Sequence, residues 1–201
     1  KSVSINRAMQ QVKTPIVVFT DANTLLNADA LQNLLKPFAL ENIGAVAGEK
    51  RVHSDRTRSM GEELYWRYES YLKRSDAAFY SVVGGAGELF AIRTELFEPL
   101  PEDCLLDDLE LSWQVIQKGY RIAYAPEARA MESASVNLQE EAKRKIRMAA
   151  GAYQFLDRHR LGDLFSVSPV YTVQFFFRKW FRWILAPVFL SMLLVGTISL
   201  L

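Results

Sequence analysis

The chain carries a run of acids, Asp107-Asp108-Leu109-Glu110, at the start of a segment that reads as a helix. Any of the three carboxylates could take a proton from an attacking hydroxyl. The same residues could instead complement a helix N-terminus and its free amides. With 3.6 residues per turn, Asp107 and Glu110 share a face and Asp108 points elsewhere, which allows two different jobs. A second acidic signal, Asp21-Ala22-Asn23, lies far upstream, just after the apolar run Ile16–Thr20. Carboxylate and amide oxygens there suit a hard divalent cation and its phosphates. An Asx turn after a strand is the plainer reading. Gly84, Gly85 and Gly87 permit close backbone approach to a ligand, or simply a turn. Arg144 and Arg147 can share a helix face and grip phosphate oxygens, or form a solvated basic surface.

The elements that must position these groups read as follows. Ile16–Thr20 suits a strand buried on both faces, and its carboxyl end is where open α/β sheets bind ligands. Asn27 is placed to cap a helix reaching about Ala39, with Leu31, Leu34, Leu35 and Phe38 on one side. Gly44–Gly48 and Leu89–Ile92 are further strand candidates, the latter ending at Arg93. Ser59–Arg74 reads as an amphipathic helix with Leu64, Tyr65, Tyr68, Tyr71 and Leu72 on one face. Asp107–Lys118 reads as a helix with Leu109, Trp113 and Ile116 inward and Gly119 as its stop. Tyr120–Ala125 alternates like a strand that Pro126 closes. Gln139–Leu156 is a helix with Lys143, Arg144, Lys145 and Arg147. This alternation predicts an α/β architecture with a mainly parallel sheet.

The 201 residues, half of them hydrophobic, suffice for one full core but not comfortably for two. A formal charge of +1 gives no general argument for nucleic acid. One cysteine cannot form an internal disulfide, and two separated histidines do not suggest structural zinc. No P-loop, Ser–His–Asp set or Cys–His pair stands out, and the glycines do not match a dinucleotide fingerprint.

Composition changes near Phe165. Phe175, Phe176, Phe177, Trp180, Phe181 and Trp183 surround Arg178, Lys179 and Arg182, and Ile184–Leu201 carries no charge. Eighteen helical residues rise roughly 27 Å, close to a bilayer core. The aromatic and basic collar fits the cytoplasmic interface; a buried core helix is the alternative. The expected division is residues 1–164 as one domain and 165–201 as an interfacial and transmembrane segment, the span covering about 184–201. The first residue is Lys, no signal peptide is visible, and the last residues are apolar, so the chain reads as a fragment of a longer protein.

In order along the chain, Lys1-x-x-x-Ile5-Asn6, Val17–Asn23, Gly84–Arg93, Asp107–Leu111, Gly119–Pro126 and Arg144–Gly151 resemble a membrane-bound family 2 glycosyltransferase of the bacterial polysaccharide-synthase type, over Lys1–Gln154. The resemblance implies an incomplete, Rossmann-like GT-A fold, lacking the strands before Lys1 that such enzymes use to hold uracil. It also implies Mg²⁺ or Mn²⁺, a nucleotide-sugar donor (usually UDP-linked), a glycan or lipid-linked acceptor, inversion at the anomeric carbon, and the cytoplasmic membrane. By this resemblance Asp21 and Asn23 stand at the Asp-x-Asp metal element, with Asn replacing the second Asp. Asp108 stands at the catalytic base and Asp107 at the acid before it. Arg147 matches the Arg of Gln-x-x-Arg-Trp, with Arg144 in the Gln place and Met148 in the Trp place. Lys1 and Asn6 match a donor-side segment, and Gly85, Gly87 and Glu110 complete the expected donor and acceptor contacts. Two other classes stay open: a scaffold that kept the fold and lost the chemistry, and a metal-dependent nucleotidyltransferase.

Overall fold

The computed structural model describes residues 1–53, 60–85, 87–133, 138–159 and 161–199. Ser59, Ala86 and the last residues of the apolar tail, named above, lie outside them. Five strands form one sheet: β1 (Ile16–Thr20), β2 (Thr24–Leu26), β3 (Ile43–His53), β4 (Leu89–Arg93) and β5 (Arg121–Ser133), in the order β1-β4-β3-β5-β2. The helices are α1 (Ser2–Met9), α2 (Ala30–Leu35), α3 (Met60–Phe79), α4 (Asp107–Gln117), α5 (Leu138–Arg158), α6 (Leu161–Val167), α7 (Pro169–Phe175) and α8 (Ala186–Ser199). A π-helical stretch, Phe176–Leu185, joins α7 to α8.

The mixed α/β architecture matches the expectation, but the mainly parallel sheet does not. Only β3 and β5 pair in parallel; β1–β4, β4–β3 and β2–β5 are antiparallel. The reason lies in β4. Its run Leu89-Phe90-Ala91-Ile92 is buried on both faces, and such a run fits a central strand of either direction. Leu89 and Ala91 face one core with Leu34, Phe38 and Val46; Phe90 and Ile92 face the other with Trp113, Val115, Phe155 and Phe175. The sheet is thus covered on both sides, and β1 ends at the rim where Asp21 emerges.

Three local expectations change for identifiable reasons. Pro126 does not close β5, because the β3–β5 register jumps from Gly48↔Ala125 to Glu49↔Arg129 and the irregularity absorbs the proline. Asn27 does not cap α2. Its side chain instead accepts from Arg129 N and donates to Glu127 O, tying the end of β2 to β5. The apolar face expected of α3 points outward: Leu64, Tyr65, Tyr68 and Tyr71 are exposed. The inward side carries Glu69 and Asp76, which meet Arg178 and Arg182. Gly119 does stop α4, at φ 81°, where a side chain would be strained.

The helix from Pro169 to Ser199 is long and apolar enough to cross a membrane. No residue of α8 is buried against the rest of the chain, so it is not a core helix of this domain. The start of the same helix is different: Tyr171 and Phe175 are fully buried in the main core.

Candidate functional site

Lys1, Asp21, Gly87, Asp107 and Asp108 line one cavity of about 220 Å³, with Ile5, Phe19, Phe90 and Leu111 among its apolar walls. Lys1 Nζ lies 3.0 Å from Asp21 Oδ1 and 3.1 Å from Asp107 Oδ2. Two carboxylates from separate elements therefore converge on one positive charge. Their charges and hydrogen bonds outweigh burial and raise the Lys1 pKa.

Each wall has a local cause. Asp21 follows the last residue of β1, and Thr20 Oγ1 donates to Glu88 O, fixing the β1 end against the start of β4. Below it, Lys50 is buried between the carboxylates of Glu88 and Glu132 and lies over the Trp66 ring. Asn23 Nδ2 donates to Glu132 Oε1, so the Asp21–Asn23 turn is tied into this buried network. Asp107 and Asp108 open α4. Both reach the cavity because first-turn side chains lean past the helix end. The predicted partnership of Asp107 with Glu110 on one face is replaced by Asp107 with Asp108. Glu110 is buried instead against His159, 2.9 Å from its Nε2.

Asp108 is the most perturbed acid of the cavity. Burial first, then the neighbouring Asp107 charge, raises its pKa to about 6. A carboxylate held near neutrality and still ionised at pH 7 suits proton abstraction. Gly87 leaves the approach open, since a Cβ there would sit 3.7 Å from Asp108 Oδ2. Gly85 donates its N–H to Ser112 Oγ, which in turn donates to Asp108 O. A Cβ at Gly85 would lie 2.6 Å from Phe90 Cδ2, inside the core. Gly85→Ala is therefore expected to cost about 1–3 kcal/mol through overpacking, read by chemical denaturation.

The other predicted residues lie elsewhere. Asn6 makes two hydrogen bonds of 2.8 Å with the Leu100 backbone, so it fastens α1 and does not face the cavity. Asn23 is beside the cavity but not on its lining. Arg144 and Arg147 sit on the exposed side of α5 and are not among the lining residues. Cys104 offers no nucleophile at neutral pH, because burial, then Glu110, raises its thiol pKa to about 11. Sequence reasoning missed Lys50, Glu88 and Lys179. Lys50 had no motif, Glu88 stood inside the Gly84–Arg93 segment without a role of its own, and Lys179 was read only as part of a basic collar.

Among the described residues no cluster of three or more His, Cys, Asp or Glu side chains forms a ready-made metal centre. A site built from Asp21, with the Asn23 amide oxygen nearby, still fits Mg²⁺ or Mn²⁺, which take one or two protein oxygens and complete their shell with phosphates. The charge that Lys1 places between Asp21 and Asp107 marks a position where positive charge is favoured.

A mixed sheet with an acidic turn at a strand end and an acid pair at a helix start on the same cavity fits the GT-A-like architecture that the resemblance implied. The comparisons agree. Residues 1–151 match the family described as "Glycosyltransferase like family 2", and the chain belongs to that family. A poly-beta-1,6-N-acetyl-D-glucosamine synthase of Staphylococcus aureus is 26% identical over 187 residues, covering 87% of this chain and 44% of that protein. An O-antigen chain rhamnosyltransferase of Salmonella typhimurium is 28% identical over 138 residues, covering 64% of this chain and 44% of that protein. A mannosyltransferase of Pyrobaculum calidifontis, solved with GDP-Man and Mn²⁺, superposes with a TM-score of 0.63 at 26% identity, over 79% of this chain and 43% of that one. The chain thus spans less than half the length of these relatives.

Proposed function

We propose that the protein transfers a sugar from a nucleotide-sugar donor, UDP-linked by expectation, to a lipid-linked or growing glycan at the cytoplasmic face of a membrane. The observation that carries this reading is the meeting of Lys1, Asp21, Asp107 and Asp108 on the wall of one cavity. Relatives named as polysaccharide synthase and chain rhamnosyltransferase support the acceptor class. In this reading residues 1–164 form the catalytic part, and 165–201 seat it on the bilayer through the apolar helix.

Asp108 takes the proton of the acceptor hydroxyl, which attacks the anomeric carbon from the face opposite the leaving diphosphate and inverts it. Lys1 lies on the Asp21 side of the cavity, where its ammonium can meet a diphosphate oxygen. Asp21 and Asn23 would hold Mg²⁺ or Mn²⁺, and the bound ion would neutralise charge on the diphosphate. Arg147 and Arg144, on the exposed face of α5, would act on the leaving group or acceptor only as the rest of the protein brings them to it. The apolar lining from Phe19, Phe90 and Leu111 excludes water and strengthens these charges.

The test is an assay of the full-length protein in membranes against a panel of nucleotide sugars with Mn²⁺ or Mg²⁺. Nucleoside diphosphate release with glycan product is expected. Pyrophosphate release would instead indicate nucleotidyl transfer, and donor binding without release under every condition would indicate a scaffold. In the same assay Asp21→Asn is expected to weaken donor binding by about 10- to 100-fold, since it removes a charged contact.

A further inference from the structure

The ammonium of Lys179 has no part in the reading above, yet it lies against the glycine turn that leads to Gly87 and beside Leu109 of α4. A Cβ built on Gly84 would sit 3.7 Å from both Lys179 Cε and Nζ, and 3.4 Å from Leu109 Cδ1. The tip of the side chain therefore rests against the positive-φ turn at Gly84 (φ 89°), beside the first turn of α4. It is delivered by the π-helical stretch between α7 and α8. Such wide turns displace side chains from the ordinary helical faces and often mark functional positions. The flanking cations go another way: Arg178 binds Asp76 and Glu69, and Arg182 binds Glu69, all on α3. Among the described residues no acid stands within ion-pair range of Lys179; the ring of Trp183 lies 5.7 Å from its Nζ. An ammonium partly withdrawn from water without an ion-pair partner is costly to keep. Leu109, at the same turn, directly follows Asp108, and the Lys179 charge works against the burial that raises the Asp108 pKa.

We propose that Lys179 is a positioning residue of the transfer site: reaching over the Gly84 turn from the membrane-entering helix, its ammonium holds Asp108 in the ionised, proton-accepting form. This rests on Asp108 being the base. The charged groups around Asp108 are Asp107 on its own helix, Glu88 ahead of β4, Lys179, and Lys1 and Asp21 on the lining of the same cavity. Of the two cations, Lys1 is engaged by Asp21 and Asp107, which leaves Lys179 to favour the Asp108 carboxylate. Lys179 in turn is faced by Arg178 and Arg182 from its own helix, Glu69 from α3 and Asp108 from α4. The base is then at full strength when the membrane-proximal helix is seated in the domain, which links anchoring to chemistry.

The experiment is the pH dependence of kcat/KM for the full-length protein in membranes, comparing wild type with Lys179→Met and Lys179→Arg. Removing the charge is expected to move the acid limb upward by about half a pH unit or more, with the deficit fading towards pH 8. Lys179→Arg is expected to keep the wild-type limb. A Lys179→Met enzyme with an unmoved limb, or one depressed equally at every pH, overturns the proposal. Asp108→Asn run alongside separates the two levels. If that variant is active, the assignment of the base has failed; if it is inactive while the Lys179→Met limb stays put, only the role of Lys179 has failed.

Discussion

Asp108→Asn is expected to lower glycosyl transfer by about 10²- to 10⁴-fold, the range that positioned general bases contribute. Donor binding should be retained, because Lys1 and Asp21 are untouched on the other wall of the cavity. The fold should be retained too. At neutral pH the native state carries an ionised Asp108 that burial disfavours. Its folded pKa lies above the unfolded one, so the folded state binds the proton more tightly, and the associated stability is present at low pH and lost as pH rises through about 6. A neutral amide escapes that penalty, so the melting temperature of the variant should match or exceed wild type at pH 7.5. The wild-type rate should have the opposite dependence. Transfer needs the carboxylate, so kcat/KM should fall on the acid side of about pH 6 and level off above pH 7. Asp107→Asn removes a charge that raises the Asp108 pKa, and its acid limb should move downward. Substantial turnover by Asp108→Asn, with acceptor and donor saturating, would remove the assigned base.

The acids of this site were legible before any coordinates, but their grouping was not. Asp21 follows an apolar run that reads as a strand, and its place at the strand end follows from that; the expected burial on both faces does not, because β1 is an edge strand and only partly buried. Asp107 and Asp108 were visible as a helix start. Periodicity then assigned Asp107 to Glu110, because a face argument holds for helix interiors and weakens in the first turn. Lys1 was flagged by resemblance alone; its bridge between Asp21 and Asp107 joins residues far apart in the chain, which local pattern does not encode. The direction of β4 was hidden for a similar reason. An apolar strand buried on both faces carries no mark of its neighbour's direction. The outward apolar face of α3 inverts the usual rule, because its inner side carries Glu69 and Asp76, whose pairing with basic partners no local pattern encodes. Those partners sit a hundred residues later in what read as a membrane collar.

That contact supports the second large effect. Arg178 Nε donates to Asp76 Oδ2 at 2.7 Å, with both side chains mostly buried. Arg178 also reaches Glu69 at 3.5 Å, and Arg182 reaches it at 2.9 Å. Burial, ahead of the opposing Arg178 contact, raises the Asp76 pKa; for Glu69, burial is overcome by Arg182 and Arg178, and its pKa is lowered. The pair is therefore costly to bury yet costlier to break. Asp76→Ala leaves a guanidinium buried with one distant acid, and a loss of about 3–5 kcal/mol is expected by denaturation of the full-length protein in detergent. Replacing both partners together, as Asp76→Leu with Arg178→Met, should cost clearly less than either single change, because no uncompensated charge remains. The asymmetry is the diagnostic feature. If the double variant is as unstable as the sum of its singles, the two side chains act independently and the fastening of α3 to the membrane-proximal helix lies elsewhere. If the singles are mild, water reaches the pair and the helix is held chiefly by Tyr171 and Phe175 in the core. With the predicted asymmetry, the same charges that hold this helix on α3 also set the register from which Lys179 reaches the Gly84 turn.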